Sequence, residues 1–124
     1  MEKPYILILF MLSLLVACQR SSIVSMTLHH ANELLAVNPD SAKSLLEGIE
    51  APEELPIKTY AYWLILYAEV CDRLHEDIPF SDQMEKAVIY YKKYGPPAER
   101  AKSLLYQGLS FEEENELNKA MLCY

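Results

Sequence analysis

Glycine is scarce in this chain: Gly48, Gly95 and Gly108 are the only three among 124 residues. Isolated glycines exclude a phosphate-cradling loop, which needs several close together so that backbone N–H groups can approach the ligand. Basic residues are also few. Eleven Lys and Arg stand against eighteen Asp and Glu, a formal net charge of −7. That balance argues against nucleic acid as a partner, which calls for clustered Lys and Arg, and against polybasic contact with anionic lipid. Three cysteines, Cys18, Cys71 and Cys123, include no C-x-x-C pair, so there is no cysteine zinc or redox motif. His29 with Glu33, and Asp72 with His75, each offer two helix-spaced ligands where zinc requires three or four. They read as solvated helix faces. No Ser, His and Asp set has motif context. The expectation is a chain that is not an enzyme, with no metal and no cofactor.

Long apolar runs are absent too, with one exception near the start. From Tyr5 to Ala17 the only polar side-chain groups are the Tyr5 phenol and the Ser13 hydroxyl. A membrane span needs roughly 20 apolar residues, and Gln19-Arg20-Ser21-Ser22 ends the run short of that. The segment therefore reads as the apolar core of a secretory signal. Leu15-Val16-Ala17-Cys18 resembles the lipobox of bacterial lipoproteins. The resemblance implies a signal peptide over 1–17, Cys18 as the lipidated first residue, and 18–22 as a tether. Acyl chains would then hold the protein to the membrane, each buried methylene contributing about 0.8 kcal/mol. Gln19 stands where Asp favours inner-membrane retention in that family, and Gln19-Arg20-Ser21-Ser22 lacks an acidic export patch. The implied location is the bacterial cell envelope, at the outer membrane facing the periplasm. Removing 1–18 takes away Glu2 and Lys3 together, so the net charge stays at −7.

Beyond Ser22 every segment has helical periodicity and none has sustained strand alternation, so the fold class is all-α. The first helix is expected from about Ser22 to Val37, with Val24, Leu28, Ala31 and Leu35 as its apolar stripe. Asn38 caps and Pro39 opens a second helix to Glu47, burying Ala42, Leu45, Leu46 and Ile49, with Gly48 as a left-handed stop. Glu50 to Pro56 reads as a loop. The third helix, about Ile57 to His75, is apolar nearly all round and so is surrounded by other helices. Within it Cys71 reads as a buried, unpaired small hydrophobe. A fourth helix spans about Ser81 to Tyr94, a fifth about Ala98 to Glu113, and a sixth starts near Leu117.

Ala87-Val88-Ile89-Tyr90-Tyr91 and Ala120-Met121-Leu122-Cys123-Tyr124 share an Ala-x-x-x-Tyr frame offset by 33 residues. Leu104, Gly108, Phe111, Ala120 and Tyr124 fall at the spacings of the tetratricopeptide repeat (TPR), whose period is about 34 residues. Gly108 and Ala120 permit close helix approach, and Phe111 and Tyr124 fill the space beside them. Asn115 stands at the inter-helix turn, where it tolerates a left-handed backbone. The chain thus resembles bacterial TPR lipoproteins. That implies stacked helical hairpins, an α-solenoid, over 23–124. An apolar final helix of about two turns leads us to expect a further repeat beyond it.

The resemblance also implies a membrane-anchored protein that binds a protein or peptide partner in a groove lined by the first helix of each hairpin. In the last unit the groove maps onto Lys102, Leu105, Leu109, Glu112 and Glu113. Its acidic end suits basic or amphipathic partners. Two other roles fit the same fold: a periplasmic sensory segment of a longer signalling regulator, or a glycan-capture lipoprotein. The tyrosines read mainly as packing residues, with a stacking platform for sugar rings as the alternative. Glu112-Glu113-Glu114 and Glu116 read as a solvated helix end.

Overall fold

A computed structural model describes residues 3–124, apart from the side chains of Ala17 and Cys18. Its helices are α1 (Lys3–Leu34), α2 (Pro39–Glu47), α3 (Ile57–Arg73), α4 (Ser81–Tyr94), α5 (Pro97–Glu113) and α6 (Leu117–Cys123), with a 3-10 turn at Pro52–Glu54. No strand occurs among the described residues, and the all-α expectation holds.

α1 is the largest departure from expectation. It runs unbroken for 32 residues instead of starting near Ser22. Between Tyr5 and Leu34 there is no glycine and no proline, so nothing local ends the helix. Gln19-Arg20-Ser21-Ser22 ends the apolar run but not the helical backbone, because polarity and helicity are separate properties. The helix carries an 18-residue window of mean hydropathy 2.0, unburied, and is long and apolar enough to cross a membrane by length and composition. It is compatible with either a signal segment or a membrane anchor. Its second half does different work. Val24, Leu28 and Ala31, with Leu35 just past its end, are all buried, the stripe expected from their spacing.

The start of α2 follows its sequence closely. Asn38 Oδ1 accepts from the Ser41 N–H at 3.2 Å, and Pro39 occupies the first turn. Its end does not. Gly48 is right-handed at φ −70, so it is no left-handed stop. The reversal is deferred to Ala51, with φ 44, immediately before the Pro52–Glu54 turn. The third helix likewise stops at Arg73, earlier than expected, and His75 takes the left-handed conformation at φ 56.

α3 is the hub. Ala61, Leu64, Leu66, Ala68, Val70 and Cys71 are each almost fully buried, and the helix packs on α1, α2, α4 and α5. Cys71 is unpaired, as expected. Every helix packs against its successor, and α1 on α3 and α3 on α5 supply the remaining helix-to-helix contacts. Contacts thus run mainly between helices adjacent in the chain. Asn115 is left-handed at φ 62, as its position predicts. α6 buries Ala120 and leaves Met121 and Leu122 outward, 74% and 87% exposed.

Candidate functional site

The five expected groove residues share one stripe of α5, and the fold already occupies most of their polar ends. Lys102 Nζ donates to Glu69 Oε2 of α3 at 3.1 Å. Glu112 Oε1 accepts from the Tyr124 hydroxyl at 2.6 Å. Glu113 Oε2 accepts from the Ile78 N–H at 3.1 Å. Leu109 is half-buried against the core. Leu105 faces solvent, 43% exposed. Cys18, the expected lipid attachment point, has its side chain outside the described residues.

The acid run at the end of α5 has a structural task. Glu114 takes the Ser81 N–H at 2.9 Å and the Ser81 hydroxyl at 2.6 Å. Because α4 and α5 are antiparallel neighbours, Glu113 and Glu114 sit at the start of α4, where unsatisfied N–H groups and the helix dipole favour negative charge. Burial pushes the Glu113 carboxyl up, and the Ile78 N–H pulls against that. Sequence reading alone assigns this run to solvent, since the partners lie more than thirty residues away. Glu69 was missed for the same reason. Buried on α3, it is held by Lys102 and by Arg73 at 3.5 Å.

Two clefts flank α3. The first encloses about 600 Å³ between α2, α3, the 3-10 turn, the loop before α4 and the end of α5. Its wall is an aromatic row. Trp63 and Tyr67 stack with ring centres 4.9 Å apart and planes within 7°, and Tyr60 continues the row 6.0 Å from Trp63. The rings are fixed at their edges: the Trp63 indole N–H donates to the Leu46 carbonyl at 3.0 Å, and the Tyr67 hydroxyl to Glu47 at 3.1 Å. Burial raises the Tyr67 hydroxyl to about 12. Glu47, Asp77, Glu113 and Glu114 also line this cleft, and no Lys, Arg or His does.

The second cleft, about 590 Å³, is lined by Tyr62, Tyr90, Tyr91 and Tyr94 with Lys58 and Glu99. Tyr90 meets Tyr91 edge-on at 5.2 Å and Tyr94 at 5.4 Å. Burial pushes the Tyr62 and Tyr91 hydroxyls upward, and Glu99 adds to both.

Other candidates are plainer. His29 Nε2 lies 3.2 Å from Glu33 on an exposed face. Among the described residues, no group of three or more His, Cys, Asp or Glu is placed to hold a metal ion. Burial pushes the Cys71 thiol up to about 11, and a thiol held neutral is a poor nucleophile at neutral pH. Against this geometry, no protein-family model, no curated protein and no solved structure matches the chain.

Proposed function

We propose that the chain is a lipid-anchored, non-enzymatic helical-repeat module of TPR type that binds a protein or peptide partner at the bacterial cell envelope. The observation that supports this reading is the packing order: each helix on its successor, with α1 on α3 and α3 on α5. Hairpins stacked this way contact only their neighbours and leave a continuous exposed surface for a partner. Spacing adds support. Lys43 with Glu76, Glu69 with Lys102, and Ser81 with Glu114 each join residues 33 apart, close to one repeat period.

The anchor part rests on Leu15-Val16-Ala17-Cys18 and on the apolar first half of α1. Two measurements test the whole. A palmitate analogue should label the wild type and not Cys18→Ser; equal labelling of both removes the lipid anchor. A photo-crosslinking residue at Leu105 should give discrete adducts in intact cells, and one at Lys92 should not. Identical patterns from both sites would mean that α5 presents no partner groove. A second reading, glycan capture, is favoured by the four tyrosines of the second cleft, since flat rings stack on sugar faces. Oligosaccharide binding that falls on Tyr94→Ala would select it.

A further inference from the structure

We infer that the domain touches the bilayer a second time, through the connection between α2 and α3, with Ile57 resting on the lipid headgroup layer. This rests on the anchoring part of the proposed function. It holds for an acylated Cys18 and for a membrane-embedded first half of α1 alike, because the apolar run ends at Ala17 and both put the hydrocarbon boundary there. α1 continues through that boundary as one helix. Arg20 and Ile23 then lie about 3 Å and 8 Å beyond Cys18, at roughly 1.5 Å per residue. A headgroup layer is about 5–8 Å deep on each side of the bilayer, so both stand within it or at its outer edge.

The domain is tied to α1 at that depth. Arg20 Nη2 donates to the Glu50 carbonyl at 2.8 Å, and Arg20 and Ile23 share a groove with Leu45, Ile49 and Glu50. The stretch from Glu50 to Ile57 is therefore held down at the headgroups. What it presents there suits lipid. Ile23 and Ile57 are 63% and 51% exposed, and Pro56 beside Ile57 is exposed as well. The Arg20 guanidinium has five N–H donors in all, so others can reach phosphate oxygens. Charge at this end is nearly balanced, Arg20 and Lys58 against Glu50, Glu53 and Glu54, so zwitterionic lipid suffices. The other end of the stack lies out of reach. α1 and α3 run the same way, since Ser25 lines a cleft with Lys58 while the Leu35 carbonyl accepts from Arg73. The 17 residues of α3 thus lead away from the membrane by about 25 Å, toward Phe80, which is 69% exposed.

The test uses the full chain, extracted from bacterial membranes and placed in phosphatidylcholine nanodiscs. Three versions carry p-benzoylphenylalanine at Ile23, at Ile57 or at Phe80, and lipid adducts are counted by intact mass after irradiation. Ile23 reports the attachment, Ile57 the second contact and Phe80 the far end. Ile57 should give at least tenfold more lipid adduct than Phe80. Arg20→Gln, which releases the Glu50 carbonyl, should lower the Ile57 yield at least threefold and leave the Ile23 yield unchanged. An Ile57 yield no higher than that of Phe80, beside a normal yield at Ile23, would overturn the second contact alone. So would an Arg20→Gln protein whose Ile57 yield is intact. Absence of lipid adducts at Ile23 and Ile57 together would sink the anchoring with it.

Discussion

At the scale of single residues, two glycines separate a forced choice from a negotiable one. Gly95 sits between α4 and α5 at φ −86, a conformation open to any residue. Its requirement is spatial: an added Cβ would lie 2.8 Å from Tyr91 Cβ and 2.9 Å from Tyr91 Cα. Gly108 is different, because there the added atom meets the Tyr124 ring at 2.4 Å, and that ring is exposed and free to swing. Overpacking typically costs about 1–3 kcal/mol. Gly95→Ala should fall at the upper end and lower the melting temperature clearly. Gly108→Val should cost about 1 kcal/mol, since leaving glycine regains about 0.4 kcal/mol of helix propensity. Its sharper signature is loss of the Tyr124–Glu112 hydrogen bond and faster amide exchange across α6. A Gly108→Val protein with α6 protection unchanged would show that the ring contact carries nothing.

Much at this scale was legible beforehand. Val24, Leu28, Ala31 and Leu35 declared a buried stripe through their spacing, and Asn38 and Asn115 declared a cap and a left-handed turn through their chemistry. Gly48 misled, because a glycine after a helix permits a left-handed turn without requiring one. Glu113 and Glu114, and the Lys102 contact of Glu69, were illegible in principle. Their partners are set by which helices become neighbours, and periodicity within one helix carries no such information.

Between residues and the fold stand the helices and their ends. α4, Ser81–Tyr94, matches its sequence reading at both bounds, because Gly95-Pro96-Pro97 cannot continue a helix. α1 does not, because its polar break contains no helix breaker. The acid run of α5 yields a prediction about a helix other than its own. Charge at the start of a helix is worth typically 0.3–1 kcal/mol, so Glu114→Gln should destabilise by about that much, and less in high salt. Glu114→Ala also strands the Ser81 N–H and should cost about 1–2 kcal/mol, within the range for lost caps. Exchange should accelerate at Ser81 to Gln83, on α4, in both variants. Glu116→Ala, in an exposed pair with Lys119 at 3.8 Å, should be near neutral. If Glu114→Ala loosened only the end of α5, the carboxylate would not be capping α4.

For the molecule as a whole, tyrosine burial makes alkali the vulnerable direction. Burial raises the Tyr67 hydroxyl to about 12 and pushes those of Tyr91 and Tyr106 upward as well. Unfolded tyrosine loses its proton near pH 10. Above that pH the unfolded chain holds fewer protons than the folded one, so stability falls as pH rises. It keeps falling until the folded hydroxyls ionise in turn. The melting temperature should therefore be flat with respect to tyrosine from pH 7 to 9 and decline above about pH 10. Phenolate absorbance at 295 nm should rise in two stages, the later one coinciding with loss of helical circular dichroism. A single reversible titration near pH 10, with helicity intact, would mean these rings are open to solvent.

The unbroken course of α1 has one more consequence. Among the described residues the first buried side chain, Val24, lies six residues after Cys18, and the intervening backbone is helical. Five residues, Gln19 to Ile23, span only about 8 Å at roughly 1.5 Å each. On the proposed anchoring, by an acylated Cys18 or by the apolar half of α1, the domain rides on a short stiff shaft and not a leash. A shaft transmits rotation. Each residue inserted between Cys18 and Val24 turns the domain by about 100° about the helix axis, and seven bring it back to within about 20°. For a domain anchored in the proposed way, which cleft faces along the membrane and which faces away is a matter of phase, set by the number of residues in that stretch.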